Sequence, residues 1–257
     1  NTYDFFKPTF NVKLAESRGE IKLAQKLRYK VFFSERIKNP ILNIGNFRRD
    51  SDKFDNYADH IIVTHRKSKF SKTKVIGTYR LLKQSVAEKK SGFYSCDEFN
   101  LENLLNSRIY NNMLELSRSC ISQKFRNKNV LQLMWKEIHH YINKNNIDAL
   151  FGTASFLSTN VSKIEDQLIY LNHHHKMPDN ITVSALPKYR VNIDYQKKIN
   201  LNIRLFAKLP TLIKAYLKFN ASIGTGAVID NKFKTTDVFI FLPIEKINKE
   251  YVNKILD

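Results

Sequence analysis

The sequence has few of the features that mark special classes of protein. Only 7 of its 257 residues are glycine and 6 are proline, which excludes collagen-like and low-complexity chains. No apolar run approaches the ~18 residues that a membrane-spanning helix needs. The opening residues, NTYDFFKPTF, lack the basic and apolar regions of a secretory signal. The sequence therefore predicts a globular cytoplasmic protein.

Residues suited to disulfides, thiol catalysis or metal binding are equally scarce. The two cysteines, Cys96 and Cys120, lie in unrelated contexts, which predicts reduced thiols. Cys120 has no histidine at an obvious spacing and is therefore a poor acyl nucleophile. Residues 173–175 are three adjacent histidines, but neighbours on a helix point in different directions and no acidic or cysteine partner has ligand spacing. No metal site is predicted.

Positive charge is abundant, with 43 Lys and Arg against 24 Asp and Glu and a formal net charge of +19. Nucleic acid, an anionic membrane surface and an acidic protein are the three partner classes that such a charge can serve. Zinc-finger spacing, aromatic RNA-binding motifs and basic heptads are all missing, so no nucleic acid partner is expected. Because the lysines are spread along the whole chain, an ordinary solvated surface explains much of the excess.

Hydrophobic periodicity predicts a mixed α/β fold. Helical spacing runs over 20–35 and again from about Asn129, and strand-like runs occupy 60–65, 74–82 and 113–121. The remaining predicted elements are a strand at 148–156, a helix at 160–173, strands at 181–186 and 189–193, a helix at 209–219 and a strand at 235–243. We expect a single domain over 1–257, with 200–257 as a C-terminal extension containing helix and strand.

The strand ELSRSCI (115–121) places two charged residues in an apolar run. In regular alternation Glu115 and Arg118 face opposite sides, so a shared site requires a β-bulge between them. A carboxylate can take the proton from an amine that attacks an acyl carbonyl, directly or through water. The alternative is that both residues form ion pairs between neighbouring elements, and their spacing alone favours this alternative.

A basic turn follows the strand. Lys124, Arg126 and Lys128 precede the predicted helix start near Asn129, where free backbone N–H groups can bind an anion. The turn lacks the glycines that let a backbone wrap around a pyrophosphate. The single phosphate of a carrier-bound phosphopantetheine therefore fits better than coenzyme A, although an ordinary solvated turn is the competing interpretation.

Several motifs occur in an order that resembles a known family. They are LRYKVFFSE (27–35), DKFDNYADHIIV (52–63), GTYRLL (77–82), FYSCDEFNL (93–101) and ELSRSCI. Their order resembles acyltransferases of the GNAT superfamily, in particular the branch containing acyl-homoserine-lactone synthases and ornithine lipid N-acyltransferases. The segment 209–243 is similar to the ornithine lipid enzymes alone, and the resemblance spans roughly 14–247. The glycine-rich donor loop of other GNAT enzymes is absent.

The resemblance implies a central mixed, twisted sheet flanked by helices, with a bulged central strand near 113–121. It implies transfer of a (3-hydroxy)fatty acyl group from acyl carrier protein to the α-amino group of L-ornithine, giving lyso-ornithine lipid. Acyl carrier protein and the amino acid would be the partners, with no permanently bound cofactor. Peripheral contact with an anionic inner membrane is a further expectation. The basic amphipathic helix 209–219 can make this contact; alternatively, it lines the acyl channel or packs in the core.

The resemblance also implies roles for particular residues. Glu115 is the candidate general base and His60 a second proton acceptor. Arginines are expected to bind the substrate carboxylate and aspartates a cationic side chain, and these residues are Arg28, Arg80, Arg118, Asp52 and Asp55. The acyl carrier would be bound by Lys124, Arg126, Lys128 and Asn129.

Other interpretations remain open from the residues alone. Asp52, Asp55 and Arg80 can equally form a structural salt-bridge network that ties their loop to the sheet. His60 can be an ordinary core histidine. The acylated amine can be glycine, glutamine or lysine, and a lactone synthase or a non-catalytic binding module for acyl carriers or membrane surfaces are the remaining alternatives.

Overall fold

The computed structural model describes residues 8–35, 48–126, 128–200 and 203–256. Its strands are β1 (Thr9–Leu14), β2 (Asp59–Arg66), β3 (Lys74–Lys83), β4 (Phe99–Asn100), β5 (Met113–Ile121), β6 (Ala149–Phe156), β7 (Ser184–Ala185), β8 (Ser222–Asp230) and β9 (Thr235–Pro243). Its α-helices are α1 (Arg18–Tyr29), α2 (Gln84–Ala87), α3 (Glu102–Asn106), α4 (Lys128–Asn145), α5 (Glu165–His175), α6 (Ile203–Lys208), α7 (Thr211–Lys218) and α8 (Lys249–Leu256). Within these ranges, every helix falls short of the length and hydropathy that a membrane span requires.

The chain divides into two compact units. The first takes its described residues from the ranges 1–82 and 116–146, and the second from 83–115 and 147–255. Strand β5 contributes its first three residues to the second unit and the rest to the first. The expectation of one domain with 200–257 as an extension stays a prediction.

In the first unit, β1, β2, β3 and the second half of β5 are neighbours in that order. Both β1 and β3 pair antiparallel with β2, and the β2–β3 register shifts between Val63 and Thr64. Helices α1 and α4 pack against β2. Helix α1 begins after Ser17, whose side chain accepts a hydrogen bond from the Glu20 amide, a typical N-cap.

The buried faces of α1 and α4 explain why these segments are helical. Leu27 lies on the inward side of α1, and Val31 on the π-helical turn that continues it. They pack with Cys120 of β5. The helical spacing from about Asn129 predicts an apolar stripe on α4. Its members Val130, Met134, Ile138, Tyr141 and Ile142 are buried, and Leu133 is half-buried.

The second unit contains the first half of β5 followed by β6, β9, β8, β7 and β4. The pairs β5–β6 and β7–β8 are parallel, whereas β6–β9, β8–β9 and β4–β7 are antiparallel. All nine residues of β9 are buried, as its position between β6 and β8 demands. Helices α5 and α7 contact β8 and β6. The predicted mixed α/β class with a mixed sheet and flanking helices is thereby confirmed.

Most predicted elements are found, with informative exceptions. The predicted strands 113–121 and 235–243 coincide with β5 and β9. The predicted strand 181–186 shrinks to Ser184–Ala185. The predicted strand 189–193 is wrong, because this segment makes only an isolated bridge between Arg190 and Val228.

Strand β8 was not predicted, because glycines interrupt its apolar pattern. They lie within the stretch, Ile223 to Ala227, over which its register with β9 shifts. A Cβ added to Gly224 would lie 2.8 Å from the Val183 carbonyl oxygen, and Gly226 has a φ of +84°. Both positions therefore require glycine for tertiary reasons that periodicity does not encode.

Candidate functional site

Six charged side chains of the first unit meet in what we call the charged cluster. They come from four separate parts of the chain: α1, the segment before β2, β3 and β5. The members of the charged cluster are Arg28, Asp50, Asp52, Asp55, Arg80 and Arg118. Three arginines face three aspartates, so the formal charges of the cluster cancel.

The most buried member is Arg28, whose side chain is 0% exposed. Its Nη1 and Nη2 donate to Oδ1 and Oδ2 of Asp55 at 2.8 and 2.7 Å, a bidentate pair. Its Nε donates to Oδ2 of Asp50 at 2.9 Å, and Nη2 also donates to the Asp50 backbone oxygen. The Arg28 guanidinium is thus bound on both sides by protein acceptors.

Arg80 and Arg118 complete the charged cluster from two strands. Arg80 donates from Nη1 to Asp52 Oδ1 at 2.5 Å and to Asp55 Oδ1 at 3.0 Å. Arg118 donates from Nε to Asp50 Oδ2 at 3.0 Å and from Nη2 to Asp52 Oδ2 at 3.1 Å. The Asp52 side chain is 19% exposed and that of Arg118 is 6% exposed, against 3% or less for the other four. These two residues form the solvent-facing edge of the cluster.

Local sequence explains why two of these aspartates lie together. Residues Lys53–Asn56 form a 3₁₀ turn that begins with a capping box. Asp52 accepts a hydrogen bond from the Phe54 amide at 3.0 Å, and Asp55 Oδ2 accepts one from the Asp52 amide at 3.1 Å. Hydrogen bonds within the turn therefore help to orient both carboxylates, in addition to the arginines.

Burial and charge act in opposite directions on Asp55. Burial by itself would raise the pKa of its carboxyl, but the hydrogen bonds and charge of Arg28, with the charge of Arg80, hold that pKa well below its usual range. Burial likewise opposes the charged form of Arg28, and the paired aspartates outweigh it, so the pKa of Arg28 is raised. Both side chains are therefore ionised across the physiological pH range.

His60, the predicted second proton acceptor, is the second residue of β2, lies beside Asp55 and is buried. Its Nε2 lies 3.4 Å from the Asp55 backbone oxygen, and in the part of the chain that the structure describes Nδ1 has no hydrogen-bond partner. Burial lowers the pKa of His60 and outweighs the opposing charge of Asp55. The imidazole is therefore neutral at pH 7.

Strand β5 departs from regular geometry at Arg118. That residue has a left-handed φ of 54°, uncommon for a residue other than glycine, and the pairing of β5 with β6 covers only residues 113–115. A strand residue in this conformation breaks the alternation of side chains. The distortion lies where the sequence predicted an irregularity, while the bulge itself stays a prediction.

Glu115 lies in the second unit and is 0% exposed. Its Oε1 accepts hydrogen bonds from the Ser95 amide and hydroxyl, both at 2.7 Å, and its Oε2 accepts one from the Tyr94 amide at 2.9 Å. The 3₁₀ turn Tyr94–Asp97 is thereby held on the strand. These three donors fix the carboxylate in one orientation.

The predicted carrier-binding residues differ in their surroundings. Lys124 and Asn129 are exposed at the end of β5 and the start of α4. Arg126 donates from Nε to the Ile121 backbone oxygen at 3.0 Å and forms an ion pair with Glu35. The side chain of Lys128 lies outside the described part of the structure.

Sequence reasoning missed several partners of the predicted site residues. Asp50 belongs to the charged cluster, Ser117 accepts from Arg80 Nε at 3.0 Å, and Gln25 donates to Asp55 at 3.0 Å. Ser95 supplies two of the donors to Glu115. Asp50 lies in the same loop as Asp52 and Asp55, and this proximity could have identified it from the sequence. No local sequence feature identifies Ser117, Gln25 or Ser95.

Two further groups bear on alternative chemistry. Burial raises the pKa of the Cys120 thiol to about 12, which keeps it protonated and unsuited to nucleophilic attack. In the second unit, carboxylate oxygens of Glu98, Asp230 and Asp237 lie within 4.8 Å of one another. An acidic cluster by itself does not define a metal site, and the expected absence of a metal stays a prediction.

Comparisons with known proteins cover nearly the whole chain. The family described as "Acetyltransferase (GNAT) domain" matches residues 27–136, which include all six members of the charged cluster and Glu115. The L-ornithine N(alpha)-acyltransferase of Brucella abortus (strain 2308) is 39% identical over 248 residues, 95% of this chain and 88% of the relative. The protein of the same name from Rhizobium meliloti (strain 1021) is 38% identical over 243 residues, 94% of this chain and 82% of the relative. A solved structure, "FeeM, an N-acyl amino acid synthase from uncultured soil microbes", is 7% identical over 93% of this chain and 94% of its own, with a TM-score of 0.49.

Removing one charge from the cluster should destabilise the protein strongly. Asp55→Asn leaves Arg28 and Arg80 buried with incomplete compensation, so we expect the free energy of unfolding to fall by about 3–5 kcal/mol. Urea unfolding measures this change. Asp97→Asn, the same substitution at an exposed position, is the control and should change stability by at most about 0.5 kcal/mol. An equal, small effect of both variants would contradict a stabilising role of the cluster.

Buried His60 should make stability depend on pH. Its pKa lies below the ordinary value of 6.5 in the folded protein, so below about pH 6.5 the unfolded chain binds the proton first. The contribution of neutral His60 to the free energy of unfolding is fully present above that pH. This contribution is lost as pH falls, by at most about 1.4 kcal/mol per pH unit. Urea unfolding at pH 7.5 and 5.5 should show a smaller difference for His60→Gln than for the unsubstituted protein. His140→Gln, on the exposed side of α4, should leave the difference unchanged; a reduction there as well would refute the assignment to His60.

Proposed function

The chain belongs to the L-ornithine N(alpha)-acyltransferase family, and we propose that it transfers a fatty acyl group to the α-amino group of L-ornithine. The observation that carries this proposal is the similarity over 94–95% of the chain to two relatives of that name. With a 3-hydroxyacyl group the product is lyso-ornithine lipid. We further propose peripheral membrane contact, because this product is amphiphilic, and a cytoplasmic location.

The reaction that we propose forms an amide from an amine and a thioester. The amine nitrogen attacks the acyl carbonyl, a C–N bond forms, and the C–S bond breaks. The nitrogen loses one proton and the departing sulfur gains one, so the products are the amide and a thiol. The amine is nucleophilic only when neutral, and a positioned base that takes its proton typically contributes about 10²–10⁴-fold to the rate.

Glu115 is the base that we propose. Its carboxylate accepts three hydrogen bonds from Tyr94 and Ser95. These donors hold the group in one orientation, as proton transfer to a fixed acceptor requires, either directly or through a water molecule. The role of His60 as a second proton acceptor has less support, since its side chain is buried beside Asp55 and faces no solvent.

For the amino acid we propose contacts at the exposed edge of the charged cluster. Arg118 suits the substrate carboxylate and Asp52 suits the side-chain ammonium group, because these two residues reach solvent. Arg28, Arg80 and Asp55 are bound to one another and to their neighbours, so we propose that they position the edge residues. Direct substrate contacts by these three stay predictions.

For the acyl donor we propose a thioester on acyl carrier protein. Lys124 is exposed in the glycine-free turn before α4 and Asn129 in the first turn of α4, and this arrangement suits one phosphate group. Carrier proteins of this kind are acidic, and the net charge of +19 favours their approach. Arg126 can bind the phosphate only in competition with its ion pair to Glu35. We also propose Lys128 as a residue that binds the carrier.

A direct assay tests donor and acceptor together. The purified chain is incubated with 3-hydroxyacyl carrier protein or with the matching acyl-coenzyme A, each with ornithine, lysine, glutamine, glycine or S-adenosylmethionine, and products are identified by mass spectrometry. We expect acylated ornithine, formed faster from the carrier-bound donor. A different acylated amine would overturn the substrate, faster transfer from coenzyme A would overturn the donor, and no product from any amine would refute the acyltransferase proposal.

Glu115→Gln should lower kcat by about 10²–10⁴-fold while KM for ornithine changes little. The defect should shrink as pH rises, because a larger fraction of the amine is then already neutral. Steady-state kinetics between pH 7 and 9.5 measure both effects. Glu102→Gln, at an exposed position on α3, is the matched control and should leave kcat unchanged. A loss that does not depend on pH would indicate that Glu115 only holds the Tyr94–Asp97 turn.

A further inference from the structure

The hairpin that joins β2 to β3 carries a dense positive charge. Its tip, residues 66–74, reads RKSKFSKTK and is called the basic tip below. Five of these nine residues are basic and none is acidic. All five are exposed, namely Arg66, Lys67, Lys69, Lys72 and Lys74.

At the centre of the basic tip stands an exposed aromatic residue. Phe70 is 80% exposed, more than any other exposed large hydrophobic residue in the described ranges. The second hairpin, between β8 and β9, also has a phenylalanine directly after a lysine, in Lys-Phe-Lys at 232–234, yet Phe233 there is only 9% exposed. A phenylalanine that follows a lysine in a hairpin is therefore not necessarily exposed, and Phe70 differs from Phe233 in this respect.

Local hydrogen bonds order the basic tip. The Ser71 amide donates to the Ser68 backbone oxygen at 3.0 Å, which closes a tight turn with Lys69 and Phe70 at its centre. The hydroxyls of Ser68 and Ser71 lie 2.9 Å apart. Below the turn, Arg66 Nε and Nη2 donate to Thr73 Oγ1 at 3.2 and 3.1 Å. The turn therefore presents its two central side chains outward.

We propose that the basic tip is a docking element for an anionic lipid surface, with Phe70 entering the interface between headgroups and acyl chains. Lysines attract anionic headgroups, and an aromatic side chain adds apolar burial that a headgroup layer can accept. Protein–protein interfaces are depleted in lysine, so a convex, lysine-rich tip fits lipid better than an acidic protein. The purpose of the contact rests on the proposed function, because an acylated amino acid is amphiphilic and partitions into bilayers.

Vesicle binding of the full chain tests this proposal. Phosphatidylcholine vesicles with and without phosphatidylglycerol are mixed with the protein, and bound protein is measured by sedimentation. We expect binding that requires the anionic lipid. Each lysine removed should weaken it about fivefold, so the combined substitutions Lys67→Gln, Lys69→Gln and Lys72→Gln should weaken it on the order of 100-fold. Phe70→Ser should weaken it about tenfold or more.

Matched controls separate the basic tip from net charge. Lys22→Gln, Lys26→Gln and Lys30→Gln remove the same charge from exposed positions on and beside α1, and Leu23→Ser removes a half-exposed apolar side chain there. These variants should bind vesicles much more tightly than the tip variants. Equal losses in both sets would show a non-specific charge effect and overturn the proposal. Unchanged thermal unfolding of each variant confirms that the fold is retained.

A second measurement reports insertion directly. Phe70→Trp places a fluorophore in the basic tip, whereas the only native tryptophan, Trp135, is buried. Brominated lipids should quench the new fluorescence, and absence of quenching would rule out insertion.

If the tip variants instead lose affinity for acyl carrier protein and keep vesicle binding, the basic tip is a protein-docking site. All tip variants should acylate ornithine at the normal rate when the donor is water-soluble. If the tip does not bind vesicles, the proposed acyltransferase reaction is therefore not contradicted. If the chain does not acylate ornithine, vesicle binding can still be measured.

Discussion

The bidentate pair between Arg28 and Asp55 is the interaction on which the first unit depends. Both side chains are almost fully buried, and a buried charge is costly unless it is paired and its remaining hydrogen-bonding positions are filled. Asp50, from the segment before β2, and Arg80 of β3 fill some of those positions, and Arg118 of β5 pairs in turn with Asp50 and Asp52. Formation of the pair therefore requires these elements to be assembled together, and in turn holds them in register.

This arrangement limits which groups can meet a substrate. Neutral overall and closed at its centre, the charged cluster offers solvent only Asp52 and Arg118. Three residues before Arg118 on the same strand, Glu115 is held by backbone and hydroxyl donors of another turn. In each case a group proposed to act is oriented by residues that have no proposed chemical role, which is the usual basis of preorganisation.

The cost of burying an unpaired charge also explains where the excess positive charge lies. In the buried network of the first unit, arginines are balanced by aspartates, so the excess lies on exposed lysines and arginines such as those of residues 66–74. Composition alone leaves lipid, acidic protein and plain solvation as competing explanations. At residues 66–74 the structure favours an anionic lipid surface as the partner, because an ordered turn there combines five exposed basic residues with an exposed Phe70.

The sequence by itself determined the strongly periodic elements, such as β5, β9 and the buried stripe of α4, and the ordered motifs that indicated the family. It also located the predicted site residues of the charged cluster, except that Asp50 was left out. Only the tertiary structure decided that these arginines and aspartates bind one another, that Ser95 donates to Glu115, and that Phe70 is exposed while Phe233 is buried. Periodicity reports the conformation of neighbouring residues, whereas pairing and burial depend on residues distant in the chain, and one pattern of charges is compatible with several partners.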